Sequence, residues 1–270
     1  MRLRFEGNKR GIGIVSVPWS LEEYEDPLLY DVENNGTAEL PFLRDWAGKI
    51  QVGDRPIMDL GCGTGRLTLP MAEAGYTMIG IDVHEGMLER AKEKTKPGLS
   101  VSWLRQDCRA LDVPMKSPLV YMVGHVFQHF LTNQHQEELL KSVHSVLAPN
   151  GTFIFNTRFP SADELLQPAE EQYDHTIVDH NNRNVQIFYK MEYDPINQIQ
   201  HYKTIRRFYD QDELQEERVT TIDLRYTYPQ EIEKTLALNG FTLLHLFDGW
   251  EEKALNPDCY SIVVVCQKVD

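Results

Sequence analysis

The sequence predicts a doubly wound α/β fold: a seven-stranded, mostly parallel sheet with an antiparallel terminal hairpin, plus an inserted antiparallel β cap. Three observations carry that expectation. From residue 56 to residue 156, short apolar runs alternate with amphipathic stretches, the pattern of a parallel sheet covered on both faces. Between about His175 and Tyr226 that alternation gives way to period-two patterning. Near Pro229 the α/β pattern resumes, and it ends on two strands.

Pro56–Leu60 reads as a buried strand and Leu67–Ala74 as the helix after it. Tyr76–Ile81 is a second strand, Met87–Lys94 a second helix, and Val101–Leu104 and Leu119–Val123 are the third and fourth strands. Asn133–Leu147 is a helix because Leu139, Leu140, Val143, Val146 and Leu147 share one face. Asn133 and Gln136 have capping-box spacing at its start. Pro149-Asn150-Gly151 ends it, ahead of a fifth strand at Thr152–Asn156. In the insertion, Val185, Ile187, Tyr189, Met191 and Tyr193 alternate with Gln186, Phe188, Lys190 and Glu192. Asp194–Asn197 has the composition of a turn, and Gln198–Tyr209 and Glu217–Tyr226 follow as strands. Pro229 opens a helix to Asn239, with Gly240 as its C-cap. Phe241–Phe247 and Tyr260–Cys266 are joined by about twelve residues without a helix. A parallel pair needs a crossover of about that length or more, usually helical, so an antiparallel hairpin is expected. The division is then an N-terminal helical cap segment at 1–50, an α/β core from 51–160 and 227–270, and a β-rich cap at 161–226.

With 41% hydrophobic and 25% charged residues, the 270-residue chain has the composition of a globular protein. A formal charge of −14 sets an average field that repels polyanions, which argues against nucleic acid as a partner. No apolar run approaches the roughly 20 residues of a spanning helix. Met1–Glu6 lacks the apolar stretch of a secretory signal, so a cytoplasmic address and no membrane partner are expected. Cys62, Cys108, Cys259 and Cys266 form neither a CxxC pair nor a Cys/His cluster of zinc spacing. Reduced thiols and no metal site are expected.

The segment Asp59-Leu60-Gly61-Cys62-Gly63-Thr64-Gly65 follows a strand and opens a helix. Glycines there let a ligand approach the backbone, and N–H groups at a helix start favour an anion or a carboxylate. In the dinucleotide fingerprint the third glycine would fall on Arg66, and no Gly-Lys-Ser or Gly-Lys-Thr of a phosphate loop is present.

That segment and its continuation Arg66–Pro70 are followed by Gly80-Ile81-Asp82, Arg105-Gln106-Asp107, Gln128-His129-Phe130 and Leu147–Gly151. In their order and spacing these pieces resemble the class I S-adenosylmethionine-dependent methyltransferases of small-molecule type, from about Tyr24 to the C-terminus. The resemblance implies that Gly61, Cys62, Gly63 and Gly65 pass under the methionine part of the cofactor, with Asp59 fixing the loop and the amino group. It implies that Asp82 accepts the ribose hydroxyls, that Val83 and Met87 flank the adenine, and that Asp107 and the Cys108 N–H read the adenine edge. Gly124 and Tyr30 complete that set, and His129 and His125, beyond the fourth strand, are the candidate catalytic groups. Tyr24–Asp31 resembles a segment that closes over the cofactor. The insertion resembles a substrate cap, with Tyr24, Arg158, Tyr189, His201, Tyr202, Arg206 and Arg207 as candidate contacts. Arg206 and Arg207 point to opposite faces of a strand, so only one faces the site.

The implied activity is methyl transfer from S-adenosylmethionine to an N or O atom of a small molecule, leaving S-adenosylhomocysteine, by a monomer or homodimer. Residues 124–129 lack the Asn/Asp-Pro-Pro-Tyr/Phe of nucleobase amino methylation. Other readings stay open: a nicotinamide-dependent oxidoreductase, disfavoured by Arg66 and the terminal hairpin; a protein or RNA methyltransferase, disfavoured for RNA by the charge; and a binding protein that holds the cofactor without transfer.

Overall fold

The computed structural model describes residues 20–160, 165–166 and 170–269. After a 3-10 turn at Glu22–Tyr24 come α1 (Pro27–Glu33) and α2 (Leu40–Lys49). There follow β1 (Ile57–Leu60), α3 (Thr68–Glu73), β2 (Met78–Asp82), α4 (Glu85–Lys94), β3 (Val101–Arg105), β4 (Ser117–Met122), α5 (Asn133–Val146) and β5 (Leu147–Arg158). The insertion supplies β6 (Gln172–Val178), β7 (Asn184–Asp194), β8 (Ile199–Asp210) and β9 (Glu213–Arg225). The chain closes with α6 (Pro229–Leu238), β10 (Phe241–Asp248), β11 (Lys253–Ala254) and β12 (Ser261–Lys268).

The main sheet has the order β11-β10-β12-β5-β4-β1-β2-β3. Strands β3, β2, β1, β4 and β5 are parallel. β12 lies between β5 and β10, antiparallel to both. β1 and β4 are buried along their whole length, which is why both read as continuous apolar runs rather than alternating ones. Their side chains divide between two layers. Met58, Leu60, Val120 and Met122 pack with Leu139, Leu140, Val143, Ile232 and Leu236 of α5 and α6. Ile57, Leu119 and Tyr121 pack with Phe42, Leu43, Trp46 and Met71 of α2 and α3. Burying both faces is what fixes the register, because a one-residue slip would exchange the two layers.

Five expectations need correction. The sheet has eight strands, because the connection before β12 forms a 3-10 turn at Gly249–Glu251 and lays β11 on the edge of β10. The cap of α5 is Thr132, whose side chain accepts from the His135 N–H; Asn133 is already helical. β5 starts at Leu147 and runs through Pro149-Asn150-Gly151, with Asn150 at φ 56° taking up the irregularity. α6 ends at Leu238 with Asn239 as its cap, and Gly240 follows one position later. The insertion has four strands, because Gln172–Val178 adds an edge strand with no alternation to announce it.

The second sheet, β6-β7-β8-β9, is antiparallel throughout. Leu29 of α1 packs into its small core of Val185, Ile187 and Phe208. Ion pairs reinforce that contact: Arg206 to Glu23 at 2.8 Å and Glu33 at 2.7 Å, and Arg218 to Asp26 at 2.9 Å. On its other side, Asp31 of α1 accepts from Thr64 at 2.6 Å, Lys94 at 2.7 Å and Arg90 at 2.9 Å. The N-terminal segment therefore joins the inserted sheet to the loop after β1. Among the described residues no helix is long and apolar enough to cross a membrane.

Candidate active site

Strand order reverses between β1 and β4, and in open α/β sheets ligands sit beyond the carboxyl ends of the strands at such a point. After β1 the chain turns at once. The Gly61 and Cys62 N–H groups both donate to the Ile81 carbonyl, at 2.8 and 3.1 Å, pinning the loop to the end of β2. Gly61 has φ 67°, and a Cβ there would lie 2.7 Å from the Val126 side chain, so the position admits no side chain. Asp82 ends β2 and reaches across to the loop. Its Oδ2 accepts from the Gly63 N–H and its Oδ1 from the His84 N–H, both at 2.8 Å. Burial raises its carboxyl above the usual range, against the pull of those bonds.

Asp59 is the deepest acid of the site, 2% exposed. Its Oδ2 accepts from Thr68 at 2.5 Å and Tyr121 at 3.1 Å. Its Oδ1 is buried and has no hydrogen-bond partner among the described residues. Burial pushes the carboxyl up to about 7. A buried acceptor without a donor is costly, and this one borders a cleft.

That cleft is open to solvent and holds about 930 Å³ of empty space. The structure brings to its lining the expected Asp59, Gly61, Cys62, Gly63, Asp82, Val83, Met87, Asp107, Cys108 and Gly124. Tyr24, Tyr30 and His129 line it as well. The Tyr24 hydroxyl and His129 Nε2 are hydrogen-bonded at 2.9 Å. Burial lowers His129 to about 4, so its imidazole is neutral near pH 7. Burial likewise raises both tyrosines, Tyr30 to about 12.

Three expected residues stand elsewhere or are engaged otherwise. Gly65 does not line the cleft: it packs under Trp103, where a Cβ would meet the indole at 2.7 Å. His125, at φ 61°, turns away, and its Nε2 pairs with Ser261 Oγ at 3.1 Å against the Tyr260 ring. Burial, then the charges of Arg158 and Arg66, lower it to about 3. The Asp107 carboxylate lines the cleft but already accepts from the Arg109 backbone at 2.9 Å and its guanidinium at 2.7 Å.

A second cavity of about 1450 Å³ opens between the cleft and the inserted sheet and shares Tyr24, Tyr30 and Gly124 with it. Arg158, Tyr189, Tyr202 and Arg206 border it, as does Tyr260. Arg206 is held by Glu23, Glu33 and Thr220. Two candidates fall outside: His201 pairs with Asp223 at 2.7 Å, and Arg207 with Glu171 and Glu217 on the opposite face.

Sequence reasoning missed Arg66, Leu21, Val126 and Phe130, which also line the cleft. Arg66 served to exclude the dinucleotide fingerprint and to extend the glycine-loop motif, not as a lining residue. Its bidentate pair with Glu39, at 2.8 and 2.9 Å, spans 27 positions and leaves no local pattern.

Residues 57–151 match the family described as a methyltransferase domain. An S-adenosylmethionine-dependent methyltransferase from Clostridium acetobutylicum superposes with a TM-score of 0.75 at 18% identity, over 90% of this chain and 97% of that one. Residues 57–151 are thus a methyltransferase domain, and the chain has the fold of the S-adenosylmethionine-dependent methyltransferases. A sugar N-methyltransferase from Streptoalloteichus sp. superposes with a TM-score of 0.70 at 15% identity, over 90% and 91% of the two chains. A carboxy-S-adenosyl-L-methionine synthase from Nitratiruptor sp. is 29% identical over 131 residues, 47% of this chain and 54% of that protein. The chain thus spans about half the length of the curated relatives it matches.

Proposed function

We propose that this chain transfers a methyl group from S-adenosylmethionine to an N or O atom of a small molecule. The observation that carries the reading is the junction of two cavities at Tyr24, Tyr30 and Gly124. One cavity is suited to the cofactor and the other to an acceptor, and a group crosses between them at the end of β4.

The residues of the first cleft fit the cofactor. Asp59 Oδ1, buried without a donor, suits the cofactor's ammonium. The Asp82 carboxylate can accept further hydrogen bonds from a diol beside those of Gly63 and His84. When bound, the cofactor supplies an electrophilic methyl on a sulfonium. The chain's own task is to orient the acceptor and exclude water, which can contribute on the order of 7–11 kcal/mol. Tyr24 and Tyr30 cover the junction. His129, neutral and held at Nε2 by Tyr24, is a weak base at its lowered pKa. It is better suited to hydrogen-bond a neutral amine than to deprotonate an alcohol, and the sugar N-methyltransferase of like fold is in keeping with that preference.

The test is incubation with S-adenosylmethionine bearing a labelled methyl group and a mixed panel of small amines and alcohols, followed by mass spectrometry. Labelled small-molecule product supports the reading. Label found only on protein or RNA substrates, or cofactor binding with no turnover on any acceptor, contradicts it.

A further inference from the structure

We infer that the second cavity takes an amine carried on a flat apolar ring, an arylalkylamine, and that the inner face of the inserted sheet selects it. The inference rests on the proposed methyl transfer, which gives that cavity to the acceptor and favours a neutral amine as the attacking group.

Side chains of a strand alternate between the faces of a sheet, and directly paired residues of neighbouring strands share one face. Met191 of β7, Tyr202 of β8 and Ile222 of β9 form such a row, paired in register across three strands. All three border the cavity, and so do Tyr189 and Leu224, two positions along β7 and β9. Met191, Ile222 and Leu224 supply contact area and no hydrogen bonds, which suits an acceptor with apolar surface to bury. The Tyr189 and Tyr202 rings meet edge to face with their centroids 6.4 Å apart. Tyr24 and Tyr30, from the N-terminal segment, do the same at 5.8 Å. Edge-to-face pairs leave ring surface on which a further aromatic ring packs.

Many polar groups of the same lining are engaged with protein partners already. The Tyr24 hydroxyl is bonded to His129, and the Tyr202 hydroxyl accepts from Arg158 at 2.7 Å. Arg206 is held by Glu23 and Glu33, and Asp174 pairs with His175. A polyhydroxylated acceptor needs a partner for each hydroxyl it buries, and would have to break these bonds to find them. Charge discriminates as well. Burial, then the charges of Asp174 and Glu33, raise the Tyr189 hydroxyl to about 12, so its surroundings favour a cation over an anion. An ammonium entering there meets tyrosine rings, whose faces attract cations. Its nitrogen sheds one proton to solvent, then forms the N–CH₃ bond as the S–CH₃ bond breaks, so the positive charge passes from sulfur to nitrogen.

Calorimetry on the full chain loaded with S-adenosylhomocysteine tests this with three probes: 2-phenylethylamine, glucosamine as the hydroxylated amine, and 3-phenylpropionate as the ring bearing an anion. We expect 2-phenylethylamine to bind at least about tenfold more tightly than either, since burying an apolar ring suffices for that ratio. Met191→Gln and Ile222→Thr keep length and branching. Each should weaken 2-phenylethylamine at least about threefold and leave S-adenosylhomocysteine within about twofold, because a polar group replaces apolar contact away from the cofactor cleft. No binding of 2-phenylethylamine, or unchanged affinity in either variant, overturns the assignment. Glucosamine binding as tightly or more tightly overturns the ring in favour of a sugar-like acceptor. Equal or tighter binding of 3-phenylpropionate overturns the amine. Failure of S-adenosylhomocysteine to bind the wild-type chain is separate, and counts against the methyltransferase reading itself.

Discussion

Asp59 and Asp82 do different work although both are acids at strand ends. Asp82 spends one oxygen on the Gly63 N–H and one on His84, so it shapes the loop as well as facing the cleft. Asp82→Ala should weaken S-adenosylhomocysteine at least about tenfold, since hydrogen bonds to a charged group contribute roughly 1.5–3 kcal/mol. Calorimetry on the folded variant checks it, and unchanged affinity would remove Asp82 from the site. Asp59 gives a pH signature. Its carboxyl sits near 7 in the free chain, well above the ordinary 3.8. A carboxyl raised by folding is protonated below that value, and binding an ammonium requires it ionised. Cofactor affinity should therefore be level above pH 7 and fall toward tenfold per unit as pH drops below it, with one proton released per ligand bound. Asp59→Asn should flatten the profile. A wild-type profile already flat from pH 8 to pH 5.5 would show that Asp59 does not meet the ammonium.

At the scale of elements, the glycine loop separates two demands that its sequence presents as one. Gly61 and Gly63 border the cleft, whereas Gly65, at φ 79°, is fixed by Trp103 of β3. Gly65→Ala should then be a stability lesion more than a binding lesion. Overpacking costs about 1–3 kcal/mol and a left-handed non-glycine residue about 1–2 kcal/mol, so a loss of about 2–5 kcal/mol in denaturant unfolding is expected. A variant as stable as wild type would refute the packing role. The same example shows how much was legible. Buried runs such as β1 and β4, and the cleft residues beyond their ends, follow from local pattern because each sits where a strand meets a turn. Trp103 beneath Gly65, Glu39 beside Arg66, and the inward turn of His125 toward Ser261 depend on partners 27 or more positions away. The β6 edge strand was missed because it is almost wholly exposed and has no apolar face to alternate.

At the scale of the molecule, the N-terminal segment bridges the inserted sheet and the core, beside a direct contact of Arg225 with Asn133. Arg206 is the centre of that bridge, with both of its carboxylate partners on the segment of residues 22–33. Arg206→Met should leave Glu23 and Glu33 buried without a cation, and breaking such a pair costs about 3–5 kcal/mol. Hydrogen exchange should rise across residues 22–33 and β8, with α5 and β4 protected as before; uniform protection would show that the segment is held by its apolar contact at Leu29 alone. That segment carries Tyr24 and Tyr30 to the junction of the cavities, so the proposed function expects its placement to condition cofactor and acceptor together. The most direct measurement of the central claim is titration of the wild-type chain with S-adenosylhomocysteine and, in parallel, NAD⁺, by calorimetry at pH 7.5. Saturable one-to-one binding of S-adenosylhomocysteine, with none of NAD⁺, is the expected result; binding of NAD⁺ without S-adenosylhomocysteine would contradict it.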